Sequence, residues 1–293
     1  MSDHAKKMIR YVLITPARNE GAFIEKTVQS VVSQTVRPEK WVIVSDGSTD
    51  GTDEIVKKYL AENPWIDLLR MPGHQYRDFA AKVNVFNAGY ETLKTTDFDF
   101  IVNLDADISF DNDYFEYLLG KFDEMPELGV AGTAFFDSAV KYDYSYTNIE
   151  HVSGSCQVFR RKCFEEIGGY KPIKDGGIDW VAVTTARMQG WKTRTFTEKS
   201  FIHHKPIGLN EGTMRSRFKY GRKDYYLGAH PVWEFFRCLY QMRKKPYVIG
   251  GLVLYFGYIW SFLNLMERPI SAELVQFRRL EEMRRLKNKI FGQ

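Results

Sequence analysis

The sequence predicts an α/β fold, with a mostly parallel central sheet carrying helices on both faces and a helical extension at the C-terminal end. Three observations carry that prediction. Through the first hundred residues, short aliphatic runs alternate with segments whose apolar residues recur at helical spacing. One apolar run, Phe100-Ile101-Val102-Asn103-Leu104, leads directly into Asp105 and Asp107, the pattern of a doubly covered strand that delivers charge to the rim of a sheet. The character of the chain then changes: residues 1–204 hold 24 Lys and Arg against 30 Asp and Glu, while residues 205–293 hold 17 against 7. Anionic partners are therefore expected at the C-terminal third.

Taken in order, Tyr11-Val12-Leu13-Ile14-Thr15 reads as the first strand, halted by Pro16 and followed by the polar loop Ala17-Arg18-Asn19-Glu20-Gly21. Ile24, Thr27, Val28, Val31 and Val32 then repeat at helical spacing until Arg37-Pro38 breaks the pattern. The second strand, Trp41 to Val44, ends in Ser45-Asp46-Gly47-Ser48-Thr49-Asp50-Gly51-Thr52, which taken alone would only start and cap a helix. That helix carries Ile55, Val56, Tyr59 and Leu60. Ile66 to Leu69 is a third strand and Asp78 to Leu93 a third helix. Strand and helix alternating in this way imply right-handed crossovers, so the ends after Thr15, Val44 and Leu104 bring acidic residues to one rim. Neither a Gly-x-Gly-x-x-Gly fingerprint nor a P-loop is present, which argues against dinucleotides and ordinary NTPase chemistry.

Asp105 and Asp107 would repel one another unless a cation lay between them, and a divalent ion holding phosphate oxygens is the natural guest. Three other readings compete: a polar strand end capping a helix that starts near Asp111, a calcium loop, and a phosphoaspartyl enzyme with Asp105 as nucleophile. The calcium loop fails because Phe110 stands where the sharp turn needs Gly. The phosphoaspartyl reading expects its pair on the first strand, not about a hundred residues in.

The remaining composition narrows the class. The chain has 293 residues, 44% of them hydrophobic, enough for one large domain with an appendage. Met1 to Arg10 is polar and basic, with no apolar core of signal-peptide length, so the bulk of the chain is expected on the cytosolic side. Cys156, Cys163 and Cys238 lack metal-ligand spacing and fit reduced thiols.

Several motifs together resemble the family-2 glycosyltransferases of the Rossmann-like GT-A fold. They are Pro16-Ala17-Arg18-Asn19-Glu20, Val44 to Thr52, Lys82 with Asn87-Ala88-Gly89, and Leu104-Asp105-Ala106-Asp107; Gly154 to Arg161 and Ile167-Gly168-Gly169-Tyr170 continue the likeness. The resemblance covers roughly residues 10–210. It implies a catalytic domain over 1–210, with a donor-binding half of about 8–110 and an acceptor-side half of about 111–210. It also implies transfer of a sugar from a nucleotide-diphosphate donor, with inversion, using Mg²⁺ or Mn²⁺. Carried onto this chain, Pro16, Arg18, Glu20, Asp46 and Lys82 belong to donor binding, Asp105 faces the ribose or donor sugar, and Asp107 with His203 holds the metal. Asp179 is the candidate base. The family's Glu-Asp pair reads Ile178-Asp179 here, which leaves the Asp without its preceding Glu; Asp175 is the nearest substitute, and capping of the following helix is the alternative role for Asp179. His203 and His204 follow an expected edge strand, and the pattern His-x-basic-Pro-x-Gly selects His203.

Residues 211–245 read as a basic, aromatic-rich helical linker, and Pro246 to Met266 is a run of 21 residues without formal charge. As one helix it would be roughly 31 Å long, about a hydrocarbon core. Basic residues flank both ends, which suits a re-entrant or in-plane hairpin at least as well as a transmembrane span. Leu274, Phe277, Leu280 and Met283 recur at helical spacing, as in an amphipathic helix on a lipid surface. No nucleic-acid-binding motif accompanies the charge. The expected partners are a nucleotide-sugar donor, a glycan or lipid-linked acceptor and a membrane surface, at the cytoplasmic face of the cell membrane. A phosphoaspartyl phosphatase or phosphotransferase using Asp105, and a non-catalytic nucleotide-sugar-binding membrane protein, remain as alternatives.

Overall fold

A computed structural model describes residues 9–73, 79–137, 148–205 and 213–291. The chain forms two compact units, one of residues 1–174 and 178–206, the other of residues 175–177 and 207–293. In chain order the first unit holds β1 (Tyr11–Ala17), α1 (Ile24–Val32), β2 (Lys40–Asp46), α2 (Thr52–Leu60), β3 (Ile66–Met71), α3 (Phe79–Leu93), β4 (Phe100–Leu104), β5 (Ile108–Ser109), α4 (Tyr114–Glu124), β6 (Leu128–Asp137), β7 (Cys156–Arg160), α5 (Arg161–Glu166), α6 (Ile178–Met188) and β8 (Lys192–His203). The second holds α7 (Thr213–Tyr226), α8 (Pro231–Gln241), α9 (Ile249–Leu263) and α10 (Ala272–Phe291).

The strands form one sheet in the order β3-β2-β1-β4-β7-β6-β8-β5. Among the described residues, four of its seven pairings are parallel. Successive residues of a strand point to opposite faces, so a strand covered on both sides must be apolar throughout. Leu13, Ile43 and Val102 accordingly pack with α1, α2 and α4 through Val28, Val56 and Phe115. Val12, Ile14, Val42 and Ile101 pack on the other face with α3, α5 and α6 through Phe86, Phe164 and Val183.

The elements expected from periodicity are present, with specific corrections. β1 does not stop at Thr15 but runs through Pro16, which pairs with Val44. Pairing of β1 with β4 ends at Ile14, so beyond it one neighbour remains and a residue lacking an N–H is tolerated. The helix expected near Asp111 begins at Tyr114. β8 is not an edge strand; it lies between β6 and the two-residue β5. Asp78 lies outside the described residues.

The second unit departs further from expectation. Residues 211–245, read as a linker, supply α7 and α8, and the uncharged 246–266 run contains α9, only 15 residues and thus about 22 Å long. Among the described residues, no helix is long and apolar enough to cross a membrane. α9 lies backbone to backbone on α7: a Cβ at Gly257 would sit 2.2 Å from the Phe218 carbonyl oxygen, and one at Gly221 closer still to that of Leu254. The buried side of α10 is not purely apolar. Leu280 is 61% exposed, whereas Arg278 and Glu282 are buried beside Leu274, Val275 and Leu286. Arg278 donates to Glu282 at 2.6 Å, to the Leu227 carbonyl at 2.9 Å and to Asp224 at 3.2 Å, while Glu282 accepts the His230 N–H at 2.7 Å.

A buried guanidinium is costly to remove here because the buried Glu282 carboxylate loses its ion partner, whereas Asp224 keeps its pairing with Arg237. Arg278→Met is expected to lower the unfolding free energy of the second unit by about 3–5 kcal/mol. Leu280→Ala, on the exposed side of the same helix, is expected to change it by less than about 0.5 kcal/mol in the same denaturation series.

Candidate active site

Because β1, β2 and β4 run parallel, with Ala17 beside Ser45 and Ile14 beside Asn103, the residues that follow them emerge at one rim. The loops after β1 and β2 are tied into a single platform. Asn19 takes a left-handed conformation (φ 54°), which Asn tolerates better than most residues. Its N–H donates to Ser48 Oγ at 3.1 Å, and its side-chain oxygen accepts the Thr49 N–H at 2.9 Å. The Glu20 N–H donates to Thr52 Oγ1 at 2.9 Å and the Gly21 N–H to Asp50 at 2.8 Å. Against the effect of burial, hydrogen bonds from Thr52 and Gly21 hold the Asp50 carboxyl below the usual range. Arg70 of β3 braces the second loop by pairing with Asp53 and donating to the Ser48 carbonyl at 3.2 Å. On this platform Arg18 pairs with Asp46 at 3.2 Å.

The Asp-x-Asp pair occupies the next strand end. The Asp105 N–H donates to the Ser155 carbonyl at 2.8 Å, which ties the turn to the residues leading into β7, and Lys82 of α3 donates to Asp105 Oδ1 at 2.5 Å. Asp107 Oδ1 faces His203 Nε2 at 3.6 Å. One ligand atom from each of Asp105, Asp107 and His203 falls within 4.8 Å of the others. His203 Nδ1 lies 2.6 Å from the Lys205 carbonyl, which can only accept, so Nδ1 carries a proton and Nε2 is the ring atom turned toward Asp107. The Lys205 ammonium reaches Glu20 at 2.8 Å and so ties the end of β8 to the loop after β1. His204 is directed elsewhere: its ring bonds Ser109 at 2.8 Å and stacks on Phe23, which distinguishes the two histidines.

The electrostatics are those of a site with too much negative charge. Burial, then the neighbouring charges of Asp105 and Glu20, push the Asp107 carboxyl up to about 6, although His203 and Lys205 pull the other way. Burial also works against the Lys82 ammonium, yet Asp105, Asp107 and Asp179 outweigh it and raise its pKa. Two oxygen donors and an imidazole nitrogen, held close and incompletely neutralised, fit Mg²⁺ or Mn²⁺.

Asp179 stands in the first turn of α6. A Cβ at Gly154 would come within 2.9 Å of the Asp179 Cβ, so only glycine lets the segment before β7 lie against it. The Asp179 side chain is 34% exposed, and His151 Nε2 lies 3.9 Å from its Oδ2. The structure thus gathers Glu20, Lys82, Asp105, Asp107 and His203 around one point, places Asp179 within the field of Lys82, and sets Pro16, Arg18 and Asp46 on the neighbouring strand ends. Sequence reasoning passed over the contributions of Lys205, His151, Gly154 and Arg70. Lys205 carried a signal as the basic residue following the two histidines, and Gly154 as the first residue of the stretch Gly154 to Arg161.

The family profile described as Glycosyl transferase family 2 matches residues 12–150. Over 111 residues, 38% of this chain, the sequence is 30% identical to poly-beta-1,6-N-acetyl-D-glucosamine synthase of Staphylococcus aureus (strain COL) and 27% identical to that of Staphylococcus epidermidis. The aligned stretch is 25% of each relative, so it spans a quarter of their length. Among solved structures, the chain is similar to the mannosyltransferase PcManGT from Pyrobaculum calidifontis in complex with GDP-Man and Mn²⁺, with a TM-score of 0.57 and 18% identity over 95% of this chain and 80% of that one. It is also similar to S. aureus TarS 1–349 in complex with UDP-GlcNAc, with a TM-score of 0.56 and 12% identity over 96% and 81%. At these identities the structural likeness shows the fold, an α/β GT-A-like architecture with a mostly parallel sheet. Residues 12–150 are therefore similar to the Glycosyl transferase family 2 domain.

Proposed function

We propose that this protein is an inverting glycosyltransferase that moves a sugar from a nucleotide-diphosphate donor to an acceptor hydroxyl of a lipid-linked glycan, with Mg²⁺ or Mn²⁺ bound, at the cytoplasmic face of a membrane. The observation that carries this reading is the convergence of Asp105, Asp107 and the Nε2 of His203 within 4.8 Å at the rim where the two loops after β1 and β2 meet. The solved relatives with GDP-Man and Mn²⁺ or with UDP-GlcNAc support the donor class.

In this scheme residues 8–110 bind the donor and residues 111–210 present the acceptor. Pro16, Arg18, Glu20 and Asp46 hold the nucleoside, with the Arg18–Asp46 pair fixing the loop. Asp105, oriented by Lys82, faces the ribose or donor sugar. Asp107 and His203 would hold the cation, which supplies positive charge to the diphosphate as negative charge builds on the leaving nucleotide. The partly buried carboxylate of Asp179 takes the proton of the acceptor hydroxyl at an Oδ, opposite the departing nucleotide, and His151 orients that carboxylate.

Asp179→Asn keeps the shape of the side chain and removes its basicity. It is expected to lower the turnover of a nucleotide sugar by about 10²–10⁴ while donor affinity, read by calorimetry, stays within about twofold. Normal turnover by this variant would place the base elsewhere.

Asp107→Asn is expected to abolish turnover and yet stabilise the metal-free protein. The folded-state carboxyl titrates near 6, above its value of 3.8 when unfolded, so the folded state loses stability as pH rises between those values. At pH 7.5 the ionised, crowded carboxylate costs about 1–3 kcal/mol that the amide does not. Thermal melting should therefore show a higher Tm for the variant at pH 7.5, a gain that disappears near pH 4.

A further inference from the structure

Beside an apolar interior that includes Leu254, Tyr258, Leu274 and Leu286, the second unit buries several polar groups and leaves a set of large apolar side chains exposed. Glu234 and Cys238 of α8 and Ser261 of α9 are buried, along with Arg278 and Glu282 of α10. Facing outward, Phe235, Phe236 and Leu239 of α8 and Leu252, Phe256 and Trp260 of α9 are 42 to 56% exposed. On α8 the adjacent Phe235 and Phe236 lie four and three residues before Leu239, and on α9 the three residues fall four apart, so each set forms one stripe. The two stripes belong to neighbouring helices: Phe235 meets the Tyr255 ring at 6.2 Å, and α9 approaches the end of α8 so closely that a Cβ on Gly251 would sit 2.5 Å from the Cys238 carbonyl oxygen. Contiguous apolar surface of this kind marks an interaction face.

We propose that this α8–α9 face docks on an anionic lipid surface, with α9 lying along the interface and not crossing it. The proposal deepens the membrane part of the reading above and does not depend on its chemistry. Charge selects lipid as the occupant. Between Tyr225 and Met266 the single carboxylate is Glu234, which is fully buried, whereas Arg243, Lys244 and Lys245 are exposed where α8 leads into α9. Basic heads beside aromatic bodies suit a headgroup layer, and Lys244 already sits over the Tyr240 ring at 4.9 Å. A second copy of the chain fits less well, because a two-fold interface built on this face tends to bring the two basic clusters toward each other. A span fails on length, since about 22 Å of helix is shorter than a hydrocarbon core of about 30 Å.

The test is sedimentation of the full chain with phosphatidylcholine vesicles, prepared with and without phosphatidylglycerol. The wild type is expected to pellet with the anionic vesicles and less so in high salt. Phe256→Glu with Trp260→Glu is expected to lower the bound fraction more than about tenfold, since two rings no longer enter the interface. Arg243→Glu with Lys244→Glu and Lys245→Glu is expected to abolish the preference for phosphatidylglycerol. A readout on the wild type alone guards against misfolded variants: hydroxyl-radical labelling of Phe256 and Trp260 should fall when anionic vesicles are added. The proposal is overturned if the wild type stays in the supernatant with unchanged labelling, if the variants bind like the wild type, or if light scattering shows a dimer that the Phe256→Glu, Trp260→Glu variant dissociates. Donor turnover in vesicle-free buffer is read alongside. Turnover without vesicle binding overturns this surface and leaves the transferase intact; binding without turnover does the reverse.

Discussion

Two carboxylates one residue apart, set at a strand end where water is scarce, can both ionise only if positive charge is placed around them. Asp105 and Asp107 are held in that position by their neighbours: the Ser155 carbonyl fixes the Asp105 backbone, and the Asp107 carbonyl accepts the His204 N–H at 2.9 Å. The fold supplies some compensation from distant segments, with Lys82 from α3 and His203 and Lys205 from the end of β8. The compensation is partial, since Asp107 remains shifted toward its neutral form. A rim left short of positive charge, and open to solvent near Asp179, is preorganised for a cation and an anionic ligand arriving together.

Local signals made much of this rim legible in the sequence. The apolar run before Asp105, the small acidic stretch after Val44 and the Pro-Ala-Arg-Asn-Glu loop each carry their own chemistry, and alternation of strand and helix requires their ends to coincide. Contacts that depend on a long closure were not legible. Lys205 meets Glu20 across 185 positions, and nothing in either neighbourhood announces the other. Gly154 lies against Asp179, and Arg70 braces Asp53, for reasons of shape that hydropathy does not record. The strand ending at His203 read as an edge because only two residues, Ile108 and Ser109, cover it, too few to register as a strand.

The second unit shows how composition misleads when a segment folds against unusual partners. A run of 21 uncharged residues has the length of a span, but small residues at Gly250, Gly251 and Gly257 let the helix within it lie close against α7 and α8, and it ends after 15 residues. In α10 the periodic Leu274, Phe277, Leu280 and Met283 suggested one face, whereas the buried face is organised by Arg278 and Glu282. Hydrophobic spacing locates an amphipathic helix on the assumption that its apolar side turns inward. In this unit a buried ion network shares the interior with Leu274, Val275 and Leu286, and other apolar side chains face out.

The central claim is that the cluster of Asp105, Asp107 and His203 is where a divalent cation and a nucleoside diphosphate meet. Titration of the wild-type protein with Mn²⁺ at pH 7.5, followed by the electron paramagnetic resonance of the free ion and repeated in the presence of UDP or GDP, tests it most directly. The account predicts one bound Mn²⁺ per chain that tightens at least about tenfold with one of the nucleotides and is lost in His203→Ala. Mn²⁺ binding that is unaffected by either nucleotide and by His203→Ala would contradict it.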